Sequence, residues 1–66
     1  MEFEIVFDRE EDGRWIAEIE TLPGVLAYAD SKQETQSKVE ALALCVIADR
    51  IESEKSRTGS VRFAAA

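Results

Sequence analysis

Of the side chains that most often carry general acid–base, thiol or metal-ligand chemistry, this 66-residue chain has fourteen carboxylates, one thiol and no imidazole. Without histidine there is no Ser/His or Cys/His nucleophile pair. With Cys45 as the lone cysteine, the chain lacks a structural zinc ligand set and an internal disulfide. Cys45 stands in an apolar stretch with no neighbouring base to activate it, so it reads as a small apolar residue. Carboxylates can still serve metal-ion catalysis when several converge within a few ångströms. Glu2, Glu4, Glu18 and Glu20 are the acids to weigh for that role. Their spacing lays them along an open strand face, with no further element to converge from. A metal-dependent nuclease therefore ranks third, behind a solvated acidic face and a partner surface, and no cofactor or metal is expected.

The charge balance narrows the partners. Fourteen acids against eight bases give a net charge of −6, which opposes independent binding to nucleic acid or to an anionic membrane. The acids are concentrated: residues 1–30 hold nine acids and two bases, net −7, and residues 31–66 are net +1. The longest apolar run, Ala41 to Ala48, falls far short of the roughly 20 residues that span a bilayer. The N-terminus carries no pattern of basic residues, apolar core and cleavage site. A cytoplasmic protein is expected. The chain has room for one small domain, whose core is marginal enough to make self-association worth considering.

Alternation along the chain shows which strands carry these groups. Phe3, Ile5 and Phe7 alternate with Glu2, Glu4, Val6 and Asp8, and Trp15, Ala17 and Ile19 alternate with Ile16, Glu18 and Glu20, the period of a half-buried strand. Asp12-Gly13 between them is a turn dipeptide, so the two segments form a hairpin. Matching inward residues pairs Phe7 with Trp15, Ile5 with Ala17 and Phe3 with Ile19. On the other face that register sets Glu4 against Glu18 and Glu2 against Glu20, two like-charged pairs. Arg62 or a cationic partner would have to offset them.

Leu22-Pro23-Gly24 predicts a turn and Val25 to Ala29 a third antiparallel strand. Ser31 with Glu34 matches a capping box, opening a helix over residues 32–52. Val39, Leu42, Ala43 and Val46 form the stripe expected to face the sheet, and Trp15 is expected in the core. Leu44, Ile47 and Ile51 widen the apolar stripe beyond one contact, which points to a homodimer or higher oligomer through those three residues. The mixed-sign run Glu52 to Arg57 reads as a solvated helix end, and Thr58-Gly59 breaks the pattern. Val61, Phe63 and Ala65 alternate as a short last strand. The expected architecture is α+β, β-β-β-α-β, with a four-stranded sheet in spatial order 3-2-1-4 and one helix packed on one face.

In three places the residues resemble the HicB-like antitoxin family. Gly13-Arg14-Trp15-Ile16-Ala17-Glu18 is similar to its second strand, Leu22-Pro23-Gly24-Val25 to its turn, and Asp30-Ser31 to its helix cap. Together they span roughly residues 3 to 54. The resemblance implies a degraded ribonuclease H-like fold without catalysis, and neutralisation of a small basic ribonuclease, a HicA-like toxin. The 66 residues are expected to hold one such domain without a separate DNA-binding segment, so DNA binding is not carried over. Glu4, Val6, Ile16, Glu18, Leu26 and Tyr28, apolar residues ringed by acids on the uncovered face, are the expected partner-binding residues. The alternative function is a structural, self-associating domain with no toxin partner.

Overall fold

The computed structural model describes residues 1–55 and 59–65. In chain order they form β1 (Glu2–Arg9), β2 (Trp15–Glu18), β3 (Leu26–Ala29), the helix α1 (Lys32–Glu54) and β4 (Arg62–Ala65). The sheet order is β3-β2-β1-β4, antiparallel except where β4 lies parallel to β1. The expected α+β architecture and strand order are therefore present. The parallel pair follows from the helical crossover between β3 and β4, since antiparallel neighbours need only a hairpin.

One face of this sheet is closed by α1, which packs on β2 and β3. Ile5, Ala17, Val39 and Ala43 are fully buried there, with Ile19, Leu22, Val25 and Ile47 beside them. Ile19 to Val25 is a compact turn whose own apolar side chains complete the core. The Ile19 N–H donates to the Val25 carbonyl at 3.1 Å, and Gly24 takes φ +85°, a conformation that costs a side-chain-bearing residue energy. Ile19 is thus buried as expected, but it lies beyond the end of β2.

The helix begins as its sequence predicts. The Ser31 hydroxyl oxygen accepts from the Glu34 N–H at 3.1 Å, and the Thr35 hydroxyl donates to the Ser31 carbonyl at 2.6 Å. Thr35 is fully buried, so its hydroxyl must be satisfied locally. The buried row is Thr35, Val39, Ala43 and Ile47, one residue every four. This rotates the expected stripe. Leu42, assigned above to the sheet side, is 38% exposed, whereas Ile47, assigned to an oligomer interface, is 4% exposed and packs in the core. Ile51 is half-buried and packs against the core alongside Val61 and Phe63. Of the three residues assigned to self-association, Leu44 alone remains exposed, at 48%. The helix ends at Lys55, a left-handed cap with φ 53°. Of the mixed-sign run, Ser56 and Arg57 lie outside the described residues, as does Thr58 of the expected break.

The hairpin register differs from the expected one by two residues. Arg9 pairs with Trp15, Phe7 with Ala17 and Val6 with Glu18. Loop chemistry explains the slip. Asp12 accepts from the Arg14 N–H at 3.1 Å and from its guanidinium at 2.8 Å, which keeps Arg14 in the turn. Arg9 stays in the strand, donating to the Gly13 carbonyl at 3.0 Å and laying its guanidinium 5.0 Å from the Trp15 ring centroid. The Lys32 ammonium lies 5.8 Å from the same ring. Trp15 is accordingly half-buried at the end of the sheet under two cations, and is not the core residue expected of it.

Candidate functional site

A register slip of two leaves every side chain on its original face. Val6, Ile16, Glu18, Leu26 and Tyr28 therefore still share the uncovered face with Glu4. What changes is who stands beside whom. Leu26, Glu18 and Val6 form one row across β3, β2 and β1, and Tyr28, Ile16 and Asp8 form the next. Each row sets apolar groups beside one carboxylate. Val6 and Ile16 are half-buried by their neighbours, while Leu26 and Tyr28 stay 40% and 42% exposed.

The like-charged pairs expected of this face are absent. Glu18 lies opposite Val6, Glu2 opposite Arg62 and Glu4 opposite Ala64. Arg62 reaches the Glu2 carboxylate at 3.7 Å, an exposed pair worth about 0–1 kcal/mol. It answers one acid, as foreseen for Arg62, but by a different pairing. The Arg14 guanidinium sits 5.2 Å from the Tyr28 ring while held by Asp12. Its N–H groups hold the exposed Asp12 carboxyl below the ordinary aspartate range, the backbone hydrogen bond contributing most.

The strands are staggered. β4 pairs with Glu2 to Ile5 of β1, and β2 pairs with Val6 to Arg9. Beside the first half of β1, the Ile19–Val25 turn takes the place of a longer β2, and a recess of about 280 Å³ opens between them. Glu4, Val6, Glu20 and Thr21 line it. Glu20 and Thr21 were not among the residues picked from sequence for partner binding. Glu20 was weighed only as an acid of the open face and nothing in its type marks Thr21, because the recess exists only where β2 stops short.

Among the described residues, no group of three or more His, Cys, Asp or Glu side chains could hold a metal ion, and no helix is long and apolar enough to cross a membrane. Cys45 is exposed on α1. The arrangement on the sheet offers shape, apolar contact and negative charge. Neither a family model, nor a curated protein, nor a solved structure matches this chain.

Proposed function

We propose that this chain is an inhibitory binding module of the HicB-like kind, which covers a small basic ribonuclease of the HicA-like type with its open sheet face. The observation that carries the reading is the mixed row pattern: Leu26 and Tyr28 stand 40% and 42% exposed on the same face as Glu4 and Glu18. Exposed apolar groups supply contact energy once water leaves, and the surrounding acids steer a cationic surface into register. A ribonuclease must present cationic groups to hold RNA phosphates. A lid of opposite charge competes for those same groups. The module acts by occlusion, without chemistry of its own.

Titration of the chain with a small basic ribonuclease of that type, in competition with a short RNA, tests this. Binding is expected to weaken steeply from about 50 mM to about 500 mM salt as the surface charges are screened. RNA and the chain are expected to exclude each other. Glu18→Gln and Glu4→Gln should slow association, and Tyr28→Ala should speed dissociation. Affinity indifferent to salt, or simultaneous binding of RNA and chain, rejects the mechanism.

A further inference from the structure

The middle of α1 is apolar on every side, yet the sheet covers only the side that carries Thr35, Val39, Ala43 and Ile47. At about 100° per residue, Ala41, Leu44, Cys45 and Ala48 fall within an arc of about 100° directly opposite that row. All four are exposed, with Leu44 at 48% and neighbouring Leu42 at 38%. Their spacing is i, i+3, i+4, i+7, the four positions that surround one hole on a helix surface, and three of the four side chains are small. Leu44 is the one knob among them.

We infer that this outer helix face is an interface for a second copy of the chain, with the two α1 helices antiparallel about a two-fold axis between Leu44 and Cys45. Such an axis sets Leu44 of each copy into the small-residue hole of the other, and Ala41 against Ala48. The charges at the two ends of the arc select the same arrangement. Glu34 and Lys38, which form an exposed ion pair at 3.8 Å within one copy with Lys38 also 3.5 Å from the Tyr28 carbonyl, lie toward its N-terminal end, and Glu52 and the cap residue Lys55 at its C-terminal end. Antiparallel pairing brings Glu34 of one copy to Lys55 of the other, and Lys38 beside Glu52. A parallel pair would set Glu34 on Glu34 and Lys38 on Lys38. These four charges cancel, so two copies with a net charge of −6 each can meet here while their acidic sheet faces point away.

The face is narrow. A helix of 23 residues is about 34 Å long and about 10–12 Å wide, less than the roughly 800 Å² per partner of a standard interface. The dimer is accordingly expected in the micromolar range.

Sedimentation from about 1 to about 500 µM is expected to show a monomer–dimer equilibrium. Leu44→Glu, at an exposed position that leaves the helix content unchanged by circular dichroism, is expected to abolish the dimer. Glu34→Lys and Lys55→Glu should each weaken it about three- to tenfold, and the double reversal should restore it. A short bismaleimide should join Cys45 to Cys45 of the second copy. A monomer at all concentrations, or a dimer indifferent to Leu44→Glu, overturns the interface. A dimer that Leu44→Glu breaks, but that shows neither charge rescue nor the Cys45 link, overturns the antiparallel arrangement.

Discussion

The two faces of the sheet are written by the same alternation on the same strands, and they end in opposite states. On the inner face Ile5 and Ala17 are fully buried beneath α1; on the outer face, one residue away in each case, Val6 and Ile16 are only half-buried, and Leu26 and Tyr28 are more than a third exposed. The inner apolar groups stabilise the fold by leaving water. Leu26 and Tyr28 contribute less to it while exposed, and the function proposed above uses them, among carboxylates, as contacts for another molecule. Folding accounts for the inner face, and recognition is the role proposed for the outer one.

The largest way to break this contrast is Ile5→Ala. Loss of a fully buried isoleucine from the centre of the core should cost about 2–5 kcal/mol, read as a lower urea midpoint with an unchanged slope. A cost near that of a surface substitution would mean the core is not where the buried residues place it. Leu26→Ala on the outer face should shift stability by only about 0.5 kcal/mol or less, yet weaken binding to the basic ribonuclease. If it destabilises the free chain as much as Ile5→Ala does, the outer face is structural and the proposed division fails.

The smallest effect concerns the turn that sets the register between the two faces. The Asp12 carboxylate is held ionised by the Arg14 N–H and guanidinium, so its folded-state pKa is lowered. The stabilisation it gives is present above the unfolded-state pKa and is lost as pH falls through the folded value. In an acid titration the Arg14 amide shift should move with a midpoint below the ordinary aspartate range, and Asp12→Asn should remove that step. A midpoint at or above the ordinary range would show that Asp12 does not hold the turn.

The sequence made some of this arrangement legible and hid the rest for identifiable reasons. Face assignment survived because the strand period is two: pairing Phe7 with Trp15 or with Ala17 leaves both partners inward. Register did not survive, because inward matching cannot separate those two alternatives and the Asp12–Arg14 contact that does lies in the loop. The phase of the helix was misread at Leu42 and Ile47 because Thr35 is polar and was not counted in the buried row. Its hydroxyl is satisfied by the Ser31 carbonyl, which lets the row start at residue 35 and run 39, 43, 47.

Legible along the chain were the elements, their order in the sheet, the cap of α1 at Ser31 and the sharing of one face by Val6, Ile16, Leu26, Tyr28, Glu4 and Glu18. The elements and faces follow from local periodicity, capping and turn chemistry, which act within a few residues, and the strand order from the hairpins together with the handedness of the helical crossover. The neighbours were fixed by long-range packing. It set Glu18 beside Val6 and Leu26 in place of Glu4, it gave Glu2 to Arg62, and it opened a recess at Glu20 and Thr21 where β2 ends early. It also turned α1 so that Ile47 faces the core and Leu42 faces outward. These are long-range outcomes, fixed by which strand ends where and by which helix row meets the sheet, and a repeating pattern along the chain is equally satisfied by more than one of them.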